Sequence, residues 1–330
     1  MFDERWSDET REVSSALRSL LEGTCDESAV RAAESSADGR SREVEQHLRE
    51  FGLHDLPAEP ELLAAVSVEL GRSLAPVPWV ELTAVRILLD VEDAVYALES
   101  DPPAGPGSAV VATASGIGLV ANQGERERTA AGDFLVRVDR GLAEQRWGEE
   151  DAQKLRALTH MLAAARVSGA ASKLVEIGVT YAKERQAFGR SIGSYQAVAH
   201  KLADAATAAE GLELIVKKTA WLAARDGANG VPQPIFGLMT WSHAVEVGRL
   251  VARNVHQCMA GFGATLESPA QLYSRRLRSW ALRLGRPGDA HREIARVLLT
   301  PQRRDAVEGL WHEERGVTVP RWARELDVTV

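Results

Sequence analysis

The sequence predicts a mainly α protein with a small β domain set into its middle. Apolar residues recur at helical spacing through residues 1–98 and again through 151–300. Between them the helical period gives way to Pro102, Pro103, Gly105 and Pro106, followed by short β-prone runs. The chain therefore divides into an N-terminal helical domain (1–98), a reduced β middle domain (99–150), a C-terminal helical domain (151–300) and a charged tail (301–330) with a weak helical pattern.

In the first domain Val13, Leu17, Leu20 and Leu21 form one helical stripe and Leu62, Leu63, Val66 and Leu70 another, with Gly71 and Pro76 marking the end. Strands are expected at Ala109 to Thr113, Ile117 to Ala121 and Phe134 to Val138. In the C-terminal part Val167, Ala170, Leu174, Ile177 and Tyr181 share one helix face, which ends near Arg185. Val198, Leu202 and Ala205 resume that period. Gly227 to Pro234 reads as a polar loop, and Trp241, Val245, Gly248, Val251 and Val255 as the face of a further helix.

Composition removes several classes of function. A net charge of -8 and a pI near 5.6 argue against nucleic-acid or acidic-membrane binding, which call for a basic surface. The two cysteines, Cys25 and Cys258, lie far apart without CxxC spacing, so neither a disulfide framework nor a zinc site is indicated. The opening run MFDERWSDETREV lacks the apolar stretch of a secretory signal, and nothing later sustains the ~20 apolar residues of a membrane span. The expectation is a cytoplasmic protein.

Two stretches carry chemistry. Between the paired helices, Phe188, Gly189, Ile192 and Gly193 read as a turn whose glycines permit backbone angles that side chains oppose, flanked by Arg185, Gln186 and Arg190. Fixed guanidinium groups beside an aromatic suit an anionic ligand with a planar end, because Arg forks onto phosphate and Phe offers a stacking face. The second stretch is HQCMAGFGATLESP, where Gln257 brings a side-chain amide and Gly261 a turn in which backbone N–H groups can approach phosphate.

Together, RQAFGRSI with YQAV and HKLAD, then HQCMAGFGATLESP, closely resemble the C-terminal domain of acyl-CoA dehydrogenases, and ELGRSLAPVPWVELTAVRILL resembles their N-terminal domain. The resemblance implies a helical N-terminal domain, a β-barrel domain and a C-terminal four-helix bundle through which the family forms tetramers. It also implies FAD, with Arg185, Phe188, Gln257 and Gly261 as contacts to the adenosine-diphosphate end of a flavin shared with a neighbouring subunit.

The chain departs from the family pattern in two respects. The family's flavin-ring motifs, a Thr-Glu-Pro run, a Gly-Ser-Asp turn and a Trp-Ile-Thr stretch, do not occur in the middle domain. The catalytic glutamate, which removes the proton α to the thioester, falls by alignment at Leu284 or, in its alternative position, at Thr159, with His160 where the family has an arginine. Neither is a carboxylate. Asp289, Glu293 and His291 are better read as helix-start and surface residues, and Arg275, Arg276, Arg278, Arg283 and Arg286 either crowd the old pocket or face solvent and partner.

The resemblance is strongest to the degenerate chain of actinobacterial α2β2 heterotetramers that oxidise steroid side-chain CoA thioesters. It implies no catalytic residue on this chain, a catalytic acyl-CoA dehydrogenase subunit as partner, and electron-transfer flavoprotein as acceptor. The competing expectations are a self-sufficient homotetrameric flavoenzyme with a relocated base, and an assembly subunit without flavin.

Overall fold

The structure is a computed structural model that describes residues 2–105, 107–226 and 230–299. The tail at 301–330 and part of the expected 227–234 loop lie outside the described residues.

Five helices open the chain: α1 (Asp8–Thr24), α2 (Glu27–Ser35), α3 (Arg42–Glu50), α4 (Pro60–Arg72) and α5 (Trp79–Leu89). Side-chain oxygens of Ser7, Asp26 and Ser41 cap the first three by accepting backbone N–H bonds from Thr10, Ala29 and Val44. Pro60 starts α4 at a position where its missing N–H costs nothing.

Next come β1 (Ala94–Tyr96), β2 (Ser108–Thr113), β3 (Gly116–Ala121), β4 (Arg126–Arg128), β5 (Phe134–Val136) and β6 (Glu144–Trp147). One sheet runs β1-β2-β3-β6, with β1 parallel to β2 and the remaining pairs antiparallel; β4 and β5 form a separate ribbon. The three expected strands are β2, β3 and β5. The others carry too few apolar residues, or too short a run, to announce themselves by pattern. Val95, Ala109, Val111, Val120, Val136 and Val138 form the small core of this part.

The C-terminal part comprises α6 (Glu149–Glu184), a tight hairpin of β7 (Gln186–Ala187) and β8 (Arg190–Ser191), α7 (Gln196–Asp226), α8 (Pro234–Gly263), α9 (Ala270–Leu282) and α10 (Pro287–Leu299). Helix α6 packs on α4, α5, α7, α8 and α9, and so is the axle of the molecule. Its residues 157 to 171 are buried without interruption, which erases its amphipathic stripe.

The approach of α4 to α6 is set by glycine. A Cβ at Gly71 would fall 1.9 Å from the Arg166 carbonyl oxygen, and one at Gly169 1.9 Å from that of Val68. Backbone touches backbone there, so any side chain at either position would force the helices apart.

Candidate functional site

Two surfaces hold the residues singled out by sequence. The first lies where the end of α6 meets the end of α8. Arg185 terminates α6 and is exposed. In the following hairpin Phe188 (φ 53°) and Gly189 (φ 81°) both take positive φ, as a type I′ turn requires. The cost of that backbone for Phe188 is borne by a side chain left 97% exposed, edge-on to Tyr195, whose hydroxyl donates to the Ala187 carbonyl at 3.0 Å. Gly193 is needed for a different reason from the one expected. Its φ is not positive; a Cβ there would press to 3.0 Å on the Ala182 carbonyl oxygen.

On α8, Gln257 is exposed one turn before Gly261. The helix breaks at Ala260, with φ 52° and ψ −138°, and a Cβ on Gly261 would meet nothing within 4 Å. This chain's own packing therefore does not demand glycine at 261. Tyr181 of α6 stacks on Phe262 of α8 with ring centroids 5.3 Å apart and planes within 8°, which brings the two sequence markers onto one surface. Arg185, Phe188, Gln257 and Gly261 all face outward from it. An open, donor-bearing surface fits the adenosine-diphosphate end of FAD approached from outside the chain.

The second region is interior and holds Thr159 and Leu284, the two positions where the family resemblance puts the base. Thr159 is 1% exposed with an unpartnered hydroxyl, and Leu284 is 8% exposed. His160 joins the two: its ring hydrogen-bonds to the backbone of Leu284 and stacks on Trp241 at 5.1 Å, while its Nε2 has no partner. Burial, with Arg156 nearby, holds its pKa down at about 4. No carboxylate stands at either position.

Largely buried ion pairs join the N-terminal helices and the middle domain to α6, α9 and Arg283. Arg166 binds Glu81 through two hydrogen bonds of 3.2 and 2.9 Å, with both side chains less than a tenth exposed and the guanidinium 4.5 Å over the Trp280 ring. Arg275 and Arg276 share Glu34, and Arg283 pairs with Asp133. Arg276 and Arg283 have side chains 6% and 10% exposed, whereas that of Arg275 is 31% exposed. Arg166, Arg276 and Arg283, with Glu81 and Asp133, line a cavity of about 40 Å³, and neither Thr159 nor Leu284 is part of its lining.

The other candidates are accounted for at the surface. Asp289 pairs with Arg292, Glu293 with Arg296, and His291 lies 3.4 Å from Glu246 with both half-exposed. Glu99 escaped sequence reasoning altogether. It lies against Gly285, next to Leu284, where a Cβ would be 3.8 Å from its Cγ, and it bonds to the Tyr96 hydroxyl and to Arg156 Nε at 2.9 Å. Burial raises its pKa against the opposing pull of Tyr96 and Arg156. No local motif marks it, because only the fold brings the segment after β1 against the turn before α10.

Both cysteines are free and buried, and no group of three or more His, Cys, Asp or Glu among the described residues could hold a metal ion. No helix among them is long and apolar enough to cross a membrane.

A helical domain, a small sheet and a bundle built on one long axle helix constitute the acyl-CoA dehydrogenase fold. Residues 151–298 match the family model for the acyl-CoA dehydrogenase C-terminal domain, and this part of the chain is such a domain. It is similar to acyl-CoA dehydrogenase IpdE2 of Mycolicibacterium smegmatis, with 32% identity over 44% of this chain and 43% of that protein. The chain thus matches this curated relative over less than half of the relative's length. Among solved structures it resembles a chain of the ChsE4-ChsE5 complex from Mycobacterium tuberculosis, with a TM-score of 0.78 and 20% identity over 91% of this chain and 100% of that one. The Tcur3481-Tcur3483 steroid ACAD gives a TM-score of 0.78 and 21% identity over 88% and 98%. At these identities the likeness is one of fold.

Proposed function

We propose that this chain is the non-catalytic subunit of a heteromeric, FAD-dependent acyl-CoA dehydrogenase that oxidises acyl-CoA to 2-enoyl-CoA. The observation that carries the reading is the chemistry of the two positions where the resemblance puts the base: Leu284 and Thr159 are both buried and neither is a carboxylate. Proton abstraction needs a carboxylate within reach of the substrate α-carbon, and neither of these two positions supplies one.

Arg185, Phe188, Gln257 and Gly261 would hold the adenosine-diphosphate end of FAD at the subunit boundary. The bound flavin would accept hydride, while its ring, the base and the acyl pocket belong to a complete dehydrogenase chain. An α2β2 assembly acting in the cytoplasm on steroid side-chain thioesters, and reoxidised by electron-transfer flavoprotein, follows from the family resemblance. It is supported by the fold neighbours named as a two-component complex and as a steroid ACAD.

The test is to purify the chain alone and together with a complete dehydrogenase chain. Alone it should be free of flavin and inactive; a homotetramer with one FAD per chain and turnover on acyl-CoA would overturn the reading. In the complex, Arg185→Ala with Gln257→Ala should weaken FAD binding about 10- to 100-fold, through lost charge-assisted bonds, without disturbing assembly. Unchanged flavin content would remove these residues from the site.

One observation favours a second reading, the self-sufficient enzyme with a relocated base: the side chain of Glu99, about one-fifth exposed, lies beside Gly285. If the chain alone turns over substrate, Glu99→Gln must abolish it under that reading.

A further inference from the structure

Helix α8 is buried along most of its length and shows solvent one narrow stripe. From residue 240 to 261 its exposed positions are Glu246, Arg249, Arg253, Gln257 and then Ala260 with Gly261, spaced by three or four so that they share one face. Gln257 and Gly261 are two of the contacts proposed above for the adenosine-diphosphate end of FAD. At the far end Glu246 faces His291 at 3.4 Å, and between Glu246 and Gly261 the stripe carries no carboxylate. The guanidinium groups of Arg249 and Arg253 make no hydrogen bond, ion pair or ring contact among the described residues.

A diphosphate carries two negative charges, and a guanidinium fork suits the oxygens of each phosphate. The four contacts already named supply a single cation, Arg185. Of the other cations near the site, Arg190 lies over the Tyr195 ring at 4.0 Å. Lys183 stands two residues beyond Tyr181, and so on the far side of α6 from the Tyr181–Phe262 stack. Arg278 belongs to α9 and lies toward His256, on the flank of α8 against which α9 packs. On the stripe itself Arg249 is two helical turns from Gln257, about 12 Å along the axis, whereas Arg253 is one turn away, about 6 Å.

We propose, resting on the reading of this surface as an FAD site, that Arg253 is the second phosphate-binding cation of this chain and holds the diphosphate together with Arg185 and Gln257. Its guanidinium is exposed and unpartnered, so it turns to phosphate without breaking an ion pair of its own. The bond gains strength once a partner chain covers the surface and excludes water. Arg253 lies three residues before HQCMAGFGATLESP, where no motif marks it.

The experiment titrates FAD into the flavin-depleted complex, reading Kd by flavin fluorescence and assembly by light scattering. Arg253→Gln should weaken FAD binding about 10-fold, the usual effect of one charge-assisted hydrogen bond, and leave assembly intact. Arg249→Gln makes the same change of charge one turn further off, and should alter Kd by less than about 2-fold at an ionic strength of about 0.15 M, where so distant an exposed charge is screened. ADP and adenosine as competitors locate the contact: Arg253→Gln should weaken ADP by the same factor as FAD and leave adenosine unchanged. Unchanged FAD affinity in Arg253→Gln, an equal fall in Arg249→Gln, an equal loss for adenosine and ADP, or dissociation of the complex would each overturn this role. Arg185→Ala with Gln257→Ala tests the underlying site separately. If that pair weakens FAD binding and Arg253→Gln does not, only Arg253 leaves the site; if the pair has no effect, the site falls and the role of Arg253 with it.

Discussion

Tyr181 and Phe262 lie ring on ring, 5.3 Å apart, and this contact joins the last turn of α6 to the end of α8. Phe262 belongs to one of the stretches that carry the family resemblance, and Tyr181 lies four residues before the start of the other. Arg185 follows Tyr181 by one helical turn and Gly261 precedes Phe262, so the stack sets the spacing of the proposed nucleotide contacts.

Phe262→Ala should therefore loosen the site without unfolding the bundle. A stacked pair contributes about 0.5–1.5 kcal/mol beyond its buried area. The expected outcome is a fall in FAD affinity of roughly 2- to 10-fold in the complex, read by flavin fluorescence on dilution, with assembly intact by light scattering. Full flavin retention would mean that the stack does not position the contacts.

Leu284→Glu should not create a second active site. A general base contributes about 10²- to 10⁴-fold, and only where substrate and acceptor are already held. Here it would enter a site 8% exposed, beside a hydrogen-bonded His160. Acyl-CoA oxidation by the complex, followed with an artificial electron acceptor, should be unchanged. Activity that doubles would show a working site on this chain.

Glu81 and Arg166 stand as a buried pair at 2.9 Å, and removing one partner strands the other. Glu81→Leu should cost about 3–5 kcal/mol, whereas Glu81→Leu with Arg166→Met should recover most of it, because packed apolar groups replace such pairs well. Chemical denaturation of the two variants decides this. Equal loss in both would mean that the pair matters for its shape rather than its charge.

His160 makes stability depend on pH. Its folded pKa, about 4, lies below the ordinary value of 6.5. The unfolded chain therefore binds a proton that the folded chain refuses over this interval. Stability is intact above pH 6.5, is lost as pH falls toward 4, and levels off below that. The shift corresponds to roughly 3 kcal/mol. His160→Gln should flatten this part of the stability profile measured by denaturation between pH 7 and pH 4.5, and an unaltered slope would assign the acid sensitivity to other groups.

The sequence by itself determined the long helices, the small β insert and the family, because these depend on local periodicity and on contiguous strings. Val167, Ala170, Leu174 and Tyr181 declare one helix face, and RQAFGRSI is legible without coordinates. Through the family resemblance it also put Leu284 and Thr159, which are not carboxylates, where a base is expected. Tertiary structure alone decided that these two positions meet through His160, that Glu81, Glu34 and Asp133 reach from distant segments to pair with Arg166, Arg275, Arg276 and Arg283, and that Glu99 lies against Gly285. An ion pair spanning 85 residues leaves no trace in local pattern. Charge pairing depends on distances across the folded chain, and those distances exist only once α6 is packed among its neighbours.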